Sequence, residues 1–155
     1  MKRVLNLIVF AAAAFVATAP SVAAERGTAD EAVALVKKTI AYYKANGKEK
    51  TFAAINEQNP EFKNKDLYIF GSHAKEGQPL AAHGANQKMV GKDMGALKDA
   101  DGFAFAKKII DIATSKEGKG WVDYKWPDPI SKKIEQKSTY VERVDDLYFA
   151  CGIYK

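Results

Sequence analysis

The stretch GWVDYKWPDP, residues 120–129, decides the fold, because it has the composition of a strand that ends in a rigid turn. Aromatic and β-branched residues are enriched in strands, and the two prolines end the strand and stiffen the chain after it. In extended backbone successive side chains point to opposite faces, so Val122, Tyr124 and Trp126 share the more apolar face. We therefore predict that this face is the inner one.

Four further segments, on either side of this strand, have the pattern of antiparallel strands. Downstream, strands are predicted over residues 136–143 and 147–154, with Asp145-Asp146 as the turn between them. Upstream, residues 67–70 are predicted to form a strand, and residues 79–83 return as its hairpin partner after a glycine-containing turn. Because short loops join these strands, we expect antiparallel pairing.

Three helices are predicted around the strands. The first begins with the capping box TADE at residues 28–31 and ends at Asn46-Gly47, and the second is short and stops near Asn59-Pro60. The third is expected to be capped by Asp101, after a long ordered loop over residues 85–100. The apolar stripe of the first helix comprises Val33, Val36, Ile40 and Tyr43, and the buried face of the third comprises Phe103, Ala106, Ile109, Ile110 and Ala113.

The order of these elements predicts the fold class. Helix, helix, two strands, helix and three strands form an α+β domain, with one antiparallel sheet and helices against one face of it. The first helix has to lie along that sheet to bury its apolar stripe. The chain from residue 25 to residue 155 has the size of a single domain.

Residues 1–24 have the pattern of a cleaved signal peptide. Lys2 and Arg3 precede an apolar run that is short for a membrane span, and cleavage is predicted after Ala24, with Ala23 as the near alternative. No second long apolar run follows, so we expect an exported chain, periplasmic or secreted, that does not cross the membrane.

Charge and cysteine content exclude some functions. Removal of the two basic leader residues lowers the net charge from +5 to +3, and the remaining lysines are interspersed with acids, which is typical of a solvated surface and not of nucleic-acid binding. Cys151 is the only cysteine and lies on the apolar face of its strand pattern. A buried, inert thiol is the favoured interpretation, with an intermolecular disulfide or a reactive thiol as the alternatives.

Several segments, in order and spacing, resemble the single Cache domains, which are extracytoplasmic sensor modules of bacterial chemoreceptors and histidine kinases. The chain is most similar to the second single-Cache subgroup. The resemblance rests on the N-terminal helix and His83, on NQKMVGKDM at 86–94 and LKDADG at 97–102, on residues 120–127, and on KSTYV at 137–141 and CGIY at 151–154.

The resemblance implies a PAS-like antiparallel sheet of five to six strands with a long N-terminal helix. It also implies a pocket between the sheet and the loop after the first hairpin, which in this family takes small organic acids such as acetate, propionate, pyruvate or lactate. Two departures stand out: Gly84 occupies a position that is often proline, and no membrane helix follows the domain. We therefore expect a free periplasmic binding protein that signals through a membrane receptor or histidine kinase.

A ligand site is predicted on the inner face of the aromatic strand. Tyr124 offers a hydroxyl, Trp126 an indole N–H, and Lys137 the cation for a carboxylate, where charge-assisted hydrogen bonds are about twice as strong as neutral ones. The predicted site residues are Tyr68, Phe70, His83, Tyr124, Trp126, Lys137 and Tyr140. Strict alternation puts Lys137 and Tyr140 on opposite faces, so both can reach the pocket only if a bulge or turn intervenes.

Other functions remain open at this level. The aromatic residues can be plain core residues, and Lys137 can be a solvated edge residue, in which case the domain is a protein–protein adaptor with a filled pocket. A small enzyme would need His83 beside a desolvated carboxylate. No nucleophile elbow or metal-binding helix motif is present in the sequence, no spacing favours a metal shared by His73 and His83, and we predict neither a cofactor nor catalysis.

Overall fold

The computed structural model describes residues 25–155, so the predicted signal peptide lies outside the described residues. Its centre is a six-stranded antiparallel sheet, whose strands are β1 (Lys63–Asn64), β2 (Leu67–His73), β3 (Ala82–His83), β4 (Lys119–Pro127), β5 (Ile134–Val144) and β6 (Leu147–Tyr154). The strand order is β1-β2-β6-β5-β4, and β3 also pairs with β2. The predicted α+β class is confirmed.

Within residues 25–155, three α-helices cover the sheet: α1 (Ala29–Asn46), α2 (Lys48–Asn56) and α3 (Phe105–Thr114). Helices α1 and α2 pack on one face with Ile69, Phe149 and Cys151, whereas α3 packs on the other face with Val122 and Val141. The expectation of helices against one face only is therefore wrong. Both faces carry large apolar side chains, and each has to be removed from water.

The start of α1 follows the predicted capping box. Thr28 Oγ1 accepts from the Glu31 backbone N–H at 3.2 Å, and the Glu31 carboxylate accepts from the Thr28 N–H at 2.8 Å. Gly47, with a φ of +83°, ends α1, and α2 begins directly after it. No described helix is long and apolar enough to span a membrane.

The segment before α3 differs from the prediction. Asp101 does not cap the helix, which begins at Phe105, and Phe103 is 44% exposed instead of buried. Asp99 organises this segment: its carboxylate accepts from the backbone N–H groups of Asp101, Phe103 and Lys125. These bonds tie the long loop to β4, so the helix starts one turn later than the sequence pattern indicates.

The long loop is ordered, as predicted, by two short 3-10 turns at Gln87–Met89 and Met94–Ala96. The hairpin partner of β2 is shorter than the predicted 79–83, because only Ala82–His83 pair with it while Pro79 pairs with Asp93 of the loop. The chain between β3 and α3 consequently folds back over the sheet and forms a cover on the α3 side.

Candidate functional site

The sheet register decides which predicted site residues meet. The pairing of β4 with β5 is continuous from Lys119↔Glu142 to Pro127↔Ile134, without a bulge. Residues paired directly across antiparallel strands point to the same face. Lys137 pairs with Tyr124 on one side and with Tyr154 on the other, so these three side chains lie together on the face that α3 and the long loop cover.

A small chamber lies between this face and the long loop. Its volume is about 20 Å³, which is room for about one water molecule. Six of the seven predicted site residues line it; the lining comprises Tyr68, Phe70, Leu80, His83, Met89, Met94, Leu97, Phe105, Tyr124, Trp126 and Lys137. The chamber is therefore nearly filled by its own side chains.

Tyr140, the seventh predicted site residue, does not line the chamber. It pairs with Trp121 and Cys151 and packs on the opposite face of the sheet, in the cluster with α1. Its hydroxyl donates to Glu142 at 2.8 Å. Because the register contains no bulge, the alternation that separates Lys137 from Tyr140 holds, and the expectation that both face the pocket is wrong.

Lys137 is fully buried and has no carboxylate partner at ion-pair distance among residues 25–155. Its Nζ donates to the Tyr68 hydroxyl at 2.6 Å. The same atom lies 4.2 Å from the ring centroid of Tyr68, 4.9 Å from that of Tyr154 and 5.8 Å from that of Phe70. Burial of the ammonium group lowers the pKa of Lys137 to about 7, because a desolvated charge is unfavourable without an opposite charge beside it.

Gly152 allows the Lys137 stem to lie across β6. A Cβ at position 152 would overlap Cε of Lys137 and would stand 2.5 Å from Oγ1 of Thr139. The absence of a side chain there opens the path by which the lysine reaches Tyr68. This dependence was not visible in the sequence, since it follows from the pairing of β5 with β6.

His83 contributes a hydrogen-bond donor to the chamber. Its Nδ1 accepts from the backbone N–H groups of Ala85 at 3.2 Å and Asn86 at 3.0 Å, which assigns the proton to Nε2. Burial, and then the positive charge of Lys137, lowers the pKa of His83 to about 3. The ring is therefore neutral at physiological pH. It stacks on the ring of Phe70 at a centroid distance of 6.0 Å and lies tilted against that of Tyr68 at 5.0 Å.

Aromatic rings form the far wall. Phe105 stacks on Tyr124 with a centroid distance of 4.2 Å, and Trp126 meets Phe105 edge-on at 5.0 Å. The Tyr124 hydroxyl accepts from Thr139 at 3.0 Å. Met89, Met94 and Leu97 close the chamber from the loop. The two methionine side chains are flexible and can move to admit a guest.

A wider cleft of about 500 Å³ adjoins the chamber and shares Tyr68, His83, Met89 and Trp126 with it. This cleft gives the chamber an approach from the surface. Beside it lies an ion cluster, in which Arg26 contacts Asp128 at 2.7 Å, Glu135 at 2.8 Å and Asp66 at 3.3 Å. The Asp66 and Asp128 side chains are fully buried, and their negative charges act to raise the pKa of Lys137 against the effect of burial.

Sequence reasoning missed five chamber residues: Leu80, Met89, Met94, Leu97 and Phe105. It also missed Tyr154, whose hydroxyl lies 3.3 Å from that of Tyr68 and donates to the Pro127 carbonyl at 2.8 Å. Strand pairing could have identified Tyr154, because the turn at Asp145-Asp146 puts Lys137 opposite it. The loop residues carry no such signal, since their position depends on how the loop folds over the sheet.

Known proteins resemble this chain over most of the described residues. Residues 26–154 match the family model of the Cache domain. The methyl-accepting chemotaxis protein McpP of Pseudomonas putida is 32% identical over 66 residues, which is 43% of this chain and 12% of that protein. The matched stretch is thus a small part of the relative.

Two solved structures have the same fold. One is described as the structural basis for carboxylic acid recognition by a Cache chemosensory domain, with a TM-score of 0.66, 21% identity and coverage of 81% of this chain and 91% of that one. The other is a methyl-accepting chemotaxis protein from Vibrio parahaemolyticus, with a TM-score of 0.67, 21% identity and coverage of 81% and 86%. From the match over residues 26–154 and the shared architecture, the chain belongs to the Cache domain family.

Proposed function

We propose that this Cache domain binds a small organic anion, a short-chain monocarboxylate, in the chamber at Lys137. The observation that carries the proposal is a fully buried lysine in the chamber wall that has no carboxylate partner within residues 25–155. A buried charge without an opposite charge is unfavourable, and a bound carboxylate would supply the missing one. Nε2–H of His83 is a donor that suits a carboxylate oxygen. The Tyr68 hydroxyl can become a second donor when its proton turns from the Tyr154 hydroxyl to the guest.

The rest of the chamber suits a short apolar tail. Leu80, Met94, Leu97 and Phe105 offer no charge, and Lys137 is the only cation that lines the chamber as described. A guest larger than water requires the chamber to expand beyond about 20 Å³. Movement of Met89 and Met94 toward the adjoining cleft is the simplest expansion, because methionine has three rotatable bonds and the cleft already opens beside Met89.

Thermal denaturation of the mature domain with acetate, propionate, pyruvate and lactate tests the binding. We expect the melting temperature to rise with ligand concentration, since a ligand that binds only the folded state stabilises it. Lys137→Met should abolish the rise, whereas Lys119→Met, at an exposed position on β4, should leave it unchanged. A folded wild-type domain that responds to no carboxylate in the panel would refute the proposal.

The sensory part of the proposal is export to the periplasm and a report to a membrane receptor or histidine kinase. Its support is the basic, then apolar, N-terminal segment and the relative that is a chemotaxis receptor. N-terminal sequencing of the protein from a periplasmic fraction should start at Glu25. The yield of crosslinking to a membrane protein in intact cells should change when the carboxylate is added. A crosslinking yield that does not depend on the ligand would argue against signalling through a membrane partner.

A second candidate function is a protein–protein adaptor, which the small chamber volume of about 20 Å³ favours. In that case Lys137→Met would preserve partner binding, and no carboxylate would alter the melting temperature. The two functions therefore give opposite results in the same ligand titration.

A further inference from the structure

The amine of Lys137 has the surroundings of a nucleophile as well as those of an anion receptor. It is buried, lines a chamber, and is not engaged by a carboxylate from residues 25–155. Lysines in desolvated pockets exist partly as free amines, and free amines add to carbonyl carbons. With a pKa of about 7, about half of the Lys137 side chains carry a free amine at neutral pH, against less than about 0.1% for an ordinary lysine.

A proton carrier is already in contact with this amine. The Tyr68 hydroxyl lies 2.6 Å from Nζ and 3.3 Å from the Tyr154 hydroxyl, which itself donates to the Pro127 carbonyl. Burial raises the pKa of Tyr68 well above its usual value, so the phenol keeps its proton at rest. A hydroxyl so placed can accept one proton while it donates another, and thus move a proton between nitrogen and an adjacent oxygen without separating charge.

We propose that Lys137 forms a reversible imine with the carbonyl carbon of a small 2-oxo acid in the chamber. This inference rests on the proposed function, since the carboxylate has to enter the chamber first. In a 2-oxo acid the carbonyl carbon is bonded directly to the carboxylate carbon. The ion pair that holds the carboxylate at Nζ therefore also brings the carbonyl carbon near the same nitrogen. The nitrogen attacks after the ammonium group has released one proton to solvent in the adjoining cleft.

The chemistry balances without an oxidant or reductant. The nitrogen lone pair forms a bond to the carbonyl carbon, the C=O π pair moves to oxygen, and a proton passes from nitrogen to that oxygen through Tyr68. The resulting carbinolamine takes up a proton from solvent on its hydroxyl oxygen, which replaces the proton that the ammonium group released, and it loses water while the remaining nitrogen lone pair forms the C=N bond. The protonated imine keeps a positive charge beside the carboxylate, whose oxygens the Tyr68 hydroxyl and Nε2–H of His83 can hold.

Reductive trapping tests the inference. The mature domain is incubated with pyruvate and sodium cyanoborohydride at pH 7, and intact and peptide mass spectra are recorded. We expect an added mass equal to pyruvate minus water plus two hydrogens, on Lys137. Allowing for the lower nucleophilicity of an amine of reduced basicity, labelling at Lys137 should exceed that at exposed Lys119 by about tenfold or more.

Controls separate this inference from the proposed function. Lactate, which lacks the carbonyl, should leave no adduct, excess acetate should suppress the pyruvate adduct, and Lys137→Met should lack it. If acetate raises the melting temperature but pyruvate is not trapped, the imine is refuted while carboxylate binding stands. Labelling spread evenly over the surface lysines would also overturn the inference. If acetate has no effect and no adduct forms, both proposals fail.

Discussion

Replacement of Lys137 by methionine is expected to stabilise the ligand-free domain while it abolishes carboxylate binding. The lysine is 0% exposed, and its one hydrogen-bond partner among the described residues is the Tyr68 hydroxyl. Methionine has a similar length and no charge to desolvate. If the lysine served only stability, its replacement would destabilise the ligand-free domain. This substitution therefore distinguishes a functional lysine from a structural one.

The expected change in the free energy of unfolding follows from the lowered pKa of Lys137. A fall from 10.5 to about 7 corresponds to a cost on the order of 5 kcal/mol for keeping the charged form in the folded state. Loss of the hydrogen bond to Tyr68 offsets part of the gain. Buried ionic groups replaced by apolar residues of similar volume commonly give about 1–4 kcal/mol, and we expect about 2 kcal/mol here, which is a rise of about 6–10 °C in Tm.

The pH dependence provides a stricter test. Below pH 7 both the folded and the unfolded wild-type chains carry the Lys137 proton, and the full cost of burial is present. Between pH 7 and about 10.4 the unfolded chain binds more protons than the folded one, so wild-type stability rises with pH. The gain in the free energy of unfolding of Lys137→Met over the wild type should therefore be largest at pH 6 and should decrease toward pH 10.

Urea denaturation of both proteins at pH 6, 8 and 9.5, with and without acetate, measures these differences. Lys119→Met is the matched control, and at this exposed position we expect a change within about 0.5 kcal/mol. A Lys137→Met variant that is less stable than wild type at pH 6 would refute the reasoning. A stability difference between the two proteins that does not change with pH would also refute it.

Three further predictions concern the same domain. Acetate binding at pH 8 should take up about one proton per site, and the affinity should fall about tenfold per pH unit above 7, because the anion binds the protonated lysine. Calorimetry in buffers of different ionisation enthalpy measures the proton uptake, and binding without proton uptake would contradict the prediction. Gly152→Ala should weaken binding about tenfold by displacing the lysine stem, whereas Gly120→Ala, which approaches only the Ile112 side chain, should bind normally. Thr28→Ala should lower the free energy of unfolding by about 1 kcal/mol through loss of the helix cap, with acetate affinity unchanged; a changed affinity would show that the cap also shapes the site.

Much of the fold could be predicted because its signals are local. The capping box at Thr28, the glycine after α1 and the alternation in β4, β5 and β6 depend on neighbours in the chain, and the structure confirms them. The prediction of α3 from Asp101 was wrong because a more distant contact decided that boundary. Asp99 accepts from the backbone N–H of Lys125, and the Asp101 carboxylate contacts Nζ of Lys125 at 2.8 Å instead of capping the helix.

The candidate site was predictable where strand periodicity sufficed. Tyr124 and Trp126 share a face by alternation, and the same rule separates Lys137 from Tyr140. The sequence could not show that the rule holds without interruption, because a bulge leaves no certain mark in composition. Only the continuous pairing of β4 with β5 excludes Tyr140 from the chamber.

The amino-acid sequence alone determined the α+β class, the order of the elements and an aromatic inner face, since these follow from periodicity and local chemistry. Lys137 as the candidate cation rested in addition on the resemblance to the Cache domains. Only the tertiary structure decided that Lys137 is buried beside Tyr68 and Tyr154, that Gly152 makes room for it, and that the chamber is nearly closed. Burial, and the lack of a carboxylate at ion-pair distance within residues 25–155, depend on chain segments far apart in sequence. Burial is what lowers the pKa of Lys137.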